Sequence, residues 1–253
     1  MSEQPSQPVL RAVGLTRRFG GLTAVDRVSL DLRVGQVHAV IGTNGAGKST
    51  LVHLLSGELS PSGGHVELDG RQIDRWSQPH RARAGIGRSY QRTTLFPGFS
   101  ALENCRLTAQ AAWQHPWAVW QSAQRCERST TIAHDALAAA GLTHVSDQQA
   151  GKLSHGAQRQ LEIAMCLATR PRVLLLDEPL AGMGAEETQR MLGLLTQLKA
   201  DHAVLLVEHD MDAVFQIADR ITVMVNGAVI ASDMPEEIRR DPTVQRAYLG
   251  ESH

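Results

Sequence analysis

Val37-His38-Ala39-Val40-Ile41 runs without a break into Gly42-Thr43-Asn44-Gly45-Ala46-Gly47-Lys48-Ser49-Thr50. The first five residues are apolar apart from one histidine, the pattern of a strand covered on both faces. The next nine match GxxxxGK[ST], and a helix is expected from Lys48 to about Ser56. That order is the one the motif's chemistry needs. The glycines let backbone N–H groups converge on a polyphosphate, Lys48 reaches the β- and γ-phosphates, and Ser49 offers its hydroxyl to Mg²⁺. Gly42 to Thr50 are therefore the first candidate nucleotide-binding residues. A glycine turn with an exposed lysine is the plainer reading, and it leaves the preceding strand and following helix unexplained.

Upstream, Val28, Leu30, Leu32 and Val34 alternate with Ser29, Asp31 and Arg33, which predicts a half-buried strand. Downstream, Pro61-Ser62-Gly63-Gly64 is a turn cluster before a short strand from His65 to Leu68. The middle of the chain, about Arg92 to Leu167, reads as helical. Ile132, Ala136, Leu137 and Ala140 recur at helical spacing before Gly141, and Leu161, Ala164, Met165 and Ala168 form a second buried stripe. After Pro171 strands and helices alternate again: Val173 to Leu176, a helix from about Glu186 to Lys199 with Met191, Leu192, Leu195 and Leu198 inward, then Val204 to Val207. Ile221–Val225 and Ala228–Ile230 flank Asn226-Gly227, the strongest short hairpin signal. Such alternation implies an α/β fold with a largely parallel sheet, the helical middle being an insertion or side lobe.

Composition narrows the function classes. In 253 residues, Lys+Arg 25 against Asp+Glu 26 leaves a net charge of -1, which argues against a general nucleic-acid binder. Aromatics at 4% offer few platforms for base stacking. Cys105, Cys126 and Cys166 are odd in number and widely spaced, against a disulfide framework or a zinc site and in favour of a reducing cytosol. Residues 1–8 are polar with two prolines, and are expected to be a flexible terminus rather than a secretory or transit segment. No stretch approaches the roughly 18 apolar residues that cross a bilayer. A membrane role would need another chain to span it.

A second acidic motif answers the glycine-rich loop. Val173-Leu174-Leu175-Leu176-Asp177-Glu178 is an apolar strand ending in two carboxylates. Asp177 is placed to hold Mg²⁺ through its water shell, and Glu178 to orient or deprotonate the attacking water. Taken alone, such a strand end is as readily a solvated exit.

Leu153-Ser154-His155-Gly156-Ala157-Gln158 then resembles the signature LSGGQ of ABC-type ATPases. With Gln91 in Ser89-Tyr90-Gln91-Arg92 and His209 in Glu208-His209-Asp210, the set follows the order of motifs in that family over nearly the whole chain. The resemblance implies a RecA-like P-loop core with an antiparallel β subdomain, residues 9–91 and 168–250, and a helical signature subdomain, residues 92–167, together one ATP-binding domain over 9–250. It implies that Ser154 and Gly156, at a helix N-terminus, bind the γ-phosphate of ATP held by a second subunit. It further implies that Gln91 senses Mg²⁺ and the attacking water, that His209 contacts the γ-phosphate, and that Phe19 stacks on adenine with Val25 as a further base contact. Ser49, Gln91 and Asp177 would hold the metal; Glu178, His209 and Gln91 would serve hydrolysis.

Two departures stand out. His155 and Ala157 replace the Gly and Gln of the signature, and Leu180-Ala181-Gly182-Met183-Gly184 replaces the usual SALD, so Gly184 lacks the carboxylate through which that loop links two sites. Because Lys48, Asp177, Glu178 and His209 are present, an active ATPase with altered contacts between subunits is expected. Leu161-Glu162-Ile163-Ala164, Pro179-Leu180-Ala181-Gly182-Met183 and the ending Ala247-Tyr248-Leu249-Gly250 are similar to the ATP-binding subunits of bacterial branched-chain amino acid importers and of the related urea and amide importers. That likeness implies a homo- or heterodimer at the cytoplasmic side of the inner membrane, permease subunits, and an external solute-binding protein. Two other readings share the motifs: a regulatory partner with weak hydrolysis, and an ABC-type ATPase acting on DNA or ribosomes. Phe96 and Phe99 either face a permease helix or pack within the lobe. Trp113, Trp117 and Trp120, at i, i+4 and i+7, suggest one helical face, with internal packing favoured over contact with a permease or a membrane surface.

Overall fold

A computed structural model describes residues 7–89, 95–113 and 127–249. Gln91, Trp117, Trp120, the side chain of Trp113 and residues 1–6 of the expected flexible terminus lie outside the described residues.

Two sheets organise the chain. The first is antiparallel: β1 (Leu10–Phe19) pairs with β2 (Leu22–Leu32) on one side and β4 (Gly63–Leu68) on the other, and the two-residue β5 (Arg71–Gln72) closes the edge. The second holds β3 (Val37–Gly42), β6 (Ile86–Arg88), β7 (Val173–Asp177), β8 (Ala203–Val207), β9 (Arg220–Val225) and β10 (Ala228–Asp233) in the order β10-β9-β3-β8-β7-β6. All its pairings are parallel except the β9–β10 hairpin. Every residue of β3, β7 and β8 is buried, as the uninterrupted apolar runs of a doubly covered sheet demand.

Boundaries differ by two or three residues where pairing, rather than hydropathy, decides them. β4 begins at Gly63 because Gly63 pairs with Thr16, and β10 runs on to Asp233 because Ser232 and Asp233 pair with Thr222 and Ile221. Val34 lies in a turn beyond β2. The helix α1 (Lys48–Ser56) has the expected limits. Its C-terminal carbonyls are held by a fully buried arginine on α2 (Gln78–Arg83): Arg81 Nη1 donates to Leu54 O at 2.8 Å and Leu55 O at 2.9 Å, a cation set where the helix dipole is negative.

Among the described residues, the helical middle holds α3 (Ala101–Trp113), α4 (Glu127–Ala139) and α5 (His155–Leu167), which pack on one another through Cys105, Ala109, Ile132, Ala136, Leu137, Leu161 and Ala164. α6 (Ala185–Leu198) buries Met191, Leu192, Leu194, Leu195 and Leu198 into the same cluster. α7 (Met211–Ile217), α8 (Pro235–Arg240) and α9 (Pro242–Leu249) complete the chain.

His38 is the polar exception in the central strand. Its Nδ1 lies 3.0 Å from the carbonyl of Asp31, which can only accept, so Nδ1 carries the proton; Nε2 lies 2.8 Å from Thr222 Oγ1. Burial lowers its pKa to about 4 from an ordinary 6.5, the hydrogen bond to Asp31 opposing and the Arg220 charge adding to the shift. Below pH 6.5 the unfolded chain takes up a proton that the folded chain refuses until about pH 4. Stability carried by neutral His38 is thus present above pH 6.5 and lost between 6.5 and 4, up to about 3 kcal/mol. Denaturant unfolding at pH 7 and pH 4.5 should show a larger acid loss in the natural chain than in His38→Gln.

Candidate active site

Parallel strands send their carboxyl ends to one edge, and β3, β8 and β7 are neighbours. That edge therefore collects the loop after β3 (Gly42 to Gly47), Asp177 and Glu178 after β7, and Glu208 and His209 after β8. In sequence the loop lies well over a hundred residues from either acidic segment; the sheet order brings all three together.

The loop after β3 leads into α1 through Gly47 at φ 97, and no side chain caps the helix. The first amides of α1, from Lys48, Ser49 and Thr50, have no carbonyl within their own helix to receive them, so an anion at this point meets donors and a positive dipole end. Lys48 is buried, and its Nζ donates to Gly42 O at 2.6 Å and Thr43 O at 3.1 Å. Burial lowers its pKa, while the charges of Glu178 and Asp177 oppose the shift. A pocket of about 710 Å³ opens beside it, lined by Asn44 to Thr50, Glu178, Phe19, Leu22, Thr23, Ala24, Asn226 and Gly227.

Asp177 is buried, its N–H donates to Ser89 Oγ at 3.3 Å, and its Oδ1 has no hydrogen-bond partner among the described residues. Desolvation and then the neighbouring Glu178 charge push its pKa up. A buried carboxylate oxygen left unpaired and destabilised in its charged form is suited to a cation, which would relieve both penalties. Glu178 takes φ 53, a left-handed conformation that a residue with a Cβ rarely adopts, held by its N–H donating to Val207 O at 2.9 Å. The turn lets its carboxylate line the pocket while Asp177 stays inside the sheet edge. Glu208 is fully buried and braces this turn: Oε1 accepts from the Leu180 N–H at 2.8 Å and Oε2 from the His209 N–H at 3.2 Å, and burial raises its pKa. The imidazole of His209 is exposed.

The base end of the pocket has a different character. Phe19 is 44% exposed at the tip of the β1–β2 hairpin, and the Arg17 guanidinium lies 4.7 Å from its ring centroid on one side. Val25 is a correction: it is fully buried in the core behind the hairpin, so it cannot touch a base, and Thr23 and Ala24 line the pocket instead. The β9–β10 turn, Asn226 at φ 48 and Gly227 at φ 84, was legible as a hairpin but not as part of the site. Gly227 N–H donates to Ala46 O at 3.1 Å and its carbonyl accepts from Asp26 N–H at 2.8 Å, so the turn ties the phosphate loop to β2. A Cβ on Gly47 would lie 2.2 Å from Ala24 O, so glycine is required there by both packing and φ.

Ser154 and Gly156 lie elsewhere. Ser154 caps α5, its Oγ accepting from the Ala157 N–H at 3.2 Å, and both residues line a second pocket with Leu142, Gln160, Glu187 and Met191. Among the described residues the two pockets share none. His155 sets its ring 3.3 Å from where a Cβ on Gly182 would be, so the departures in the two loops touch each other.

The sequence profile of the ABC transporter family matches residues 25–181, and that of the branched-chain amino acid ATP-binding cassette transporter matches residues 228–253. This chain belongs to the ABC transporter family. It is 42% identical to the high-affinity branched-chain amino acid transport ATP-binding protein BraF of Pseudomonas aeruginosa, over 98% of this chain and 100% of that one. It is 39% identical to LivG of Escherichia coli K12, a protein of the same description, with the same coverage. Among solved structures, a nucleotide-free ATP-binding cassette from an ABC transporter superposes with a TM-score of 0.87 at 30% identity, covering 97% of this chain and 100% of that one. The ADP conformation of the cassette MJ1267 superposes at 0.84 and 29% identity, with coverage of 97% and 100%. The P-loop core and helical lobe of this ABC ATPase are those the motif order implied.

Proposed function

We propose that this chain is the ATP-hydrolysing subunit of an importer for branched-chain amino acids or related small polar solutes, working as a head-to-tail dimer against the inner face of a membrane. The observation that supports the dimer is the separation of the two pockets: among the described residues, the phosphate loop and the signature residues Ser154 and Gly156 share no lining residue, as a site completed by a second subunit requires. Residues 92–167 form the signature lobe, and residues 9–91 with 168–250 the core that holds nucleotide. The phosphate loop binds the polyphosphate, with Lys48 exchanging its contacts to Gly42 O and Thr43 O for phosphate oxygens. Phe19 offers its free face to adenine. Ser49 and Asp177, with Gln91, would hold Mg²⁺, and Asp177 Oδ1, without a hydrogen-bond partner among the described residues, fits that duty. When bound, the ion would supply charge neutralisation to the phosphates. Glu178 orients or deprotonates the attacking water, and His209 contacts the γ-phosphate. ATP drives closure only by the difference between its affinities for the closed and open dimers.

Permease subunits are the membrane partners, and an external solute-binding protein delivers the cargo. No described helix is long and apolar enough to cross a membrane. Phe96 and Phe99, left open above, are 53% and 44% exposed with rings stacked at 5.6 Å, an apolar surface at the entrance to the helical lobe that suits a permease helix. The regulatory and nucleic-acid readings are not favoured, because the near-full-length relatives are named as transport ATP-binding proteins. Labelled leucine uptake at low external concentration tests the cargo: deleting the gene should reduce it to background and restoring the gene should recover it. Undiminished uptake in the deletion would overturn this assignment.

A further inference from the structure

The signature end of α5 already holds an anion from its own chain. Glu187, in the first turn of α6, accepts on Oε1 from Ser154 Oγ at 3.2 Å and from the Gly156 N–H at 3.3 Å. The fit is close: a Cβ on Gly156 would fall 2.6 Å from Glu187 Cδ and Oε1. The carboxylate also sits near the N-terminus of α6, whose N-cap Gly184 has no side chain to cap it, so two helix N-termini converge on one negative charge. Gly184 is the position at which the linking carboxylate of the family is missing. Glu187 supplies a carboxylate one helical turn later, aimed at the signature of its own subunit.

We propose that Glu187 is a positioning residue that competes with the partner-bound γ-phosphate for Ser154 and Gly156. The inference rests on the reading of those two residues as γ-phosphate ligands. Both anions need the same hydroxyl and the same N–H, and a phosphate brought to them would meet a carboxylate at van der Waals distance. Closure of the dimer therefore requires Glu187 to swing away. The contact holds the N-terminus of α6 against α5 in the separate subunit and sets the ATP concentration at which the dimer forms. Arg190, in the same pocket, pairs with Glu186 at 3.3 Å and so leaves the Glu187 contact to the signature end of α5.

The full chain carrying Glu178→Gln, titrated with ATP and Mg²⁺ in the analytical ultracentrifuge, gives the reference concentration for half-maximal dimer. Adding Glu187→Gln should lower that concentration about five-fold, the order expected for a partly exposed charged hydrogen bond. Glu187→Ala should move it in the same direction. A residue that merely supports the signature would move it the opposite way, so an unchanged or raised ATP requirement in both variants overturns the competition. If the Glu178→Gln chain forms no dimer at any ATP concentration, the reading of Ser154 and Gly156 fails, and the inference with it.

Discussion

Lys48→Ala should lower kcat/KM for ATP hydrolysis by at least about 10³-fold, the scale on which a cation at a transferring phosphoryl group acts. Among the described residues lining the pocket, Lys48 is the one that carries a positive charge. Its ammonium is already held inside the loop by Gly42 O and Thr43 O, and burial disfavours its charged form, so it has a strong electrostatic reason to meet a polyphosphate. The loss should fall on both nucleotide binding and kcat, because the β- and γ-phosphates are present in the bound state and carry more charge in transfer. Folding should survive. The two hydrogen bonds lost are offset by the desolvation cost that the alanine variant no longer bears, and circular dichroism melts should separate a dead site from an unfolded chain.

Glu178→Gln should reduce the maximal hydrolysis rate by about 10²- to 10⁴-fold, the range for losing a positioned general base, while leaving ATP affinity within a few-fold. The amide keeps the size of the side chain and a hydrogen-bonding oxygen, so the turn at φ 53 and its anchor to Val207 O are preserved. It also removes one of the two adjacent negative charges beside the γ-phosphate position, which eases the raised pKa of Asp177. ATP that binds without being hydrolysed should accumulate in the closed dimer. Burst and steady-state phosphate release, read beside sedimentation, should show slow turnover together with stronger ATP-dependent association.

The core of this site was legible because its parts are local. A buried strand, a glycine-rich loop and a helix follow one another without interruption, so α1 begins and ends where the pattern placed it, and Asp177 ends β7 as the apolar run predicted. The family resemblance put Val25 against the base, and the structure buries it for a local reason. Strict alternation from Val28, Leu30 and Leu32 puts residue 25 on the outer face. Between the pairs Leu15 with Val28 and Arg17 with Val25, β2 spends three residues against two on β1, and Arg27 takes φ 49. Such a bulge reverses the facing of the residues that follow it, turning Val25 inward and Ala24 toward the pocket. Asn226, Gly227, Glu208 and Glu187 were missed for another reason. Their partners lie across the sheet edge or on a separate helix, and a single sequence carries no record of those tertiary contacts.

In the proposed dimer, two copies of the nucleotide site are completed across a subunit boundary. A structure of the full Glu178→Gln chain with ATP and Mg²⁺ tests it most directly. It should show each γ-phosphate held by Lys48 of one subunit and by Ser154 Oγ and the Gly156 N–H of the other, with Glu187 withdrawn from both. A dimer in which ATP rests on Lys48 while Ser154 and Gly156 still hold Glu187 would contradict the account.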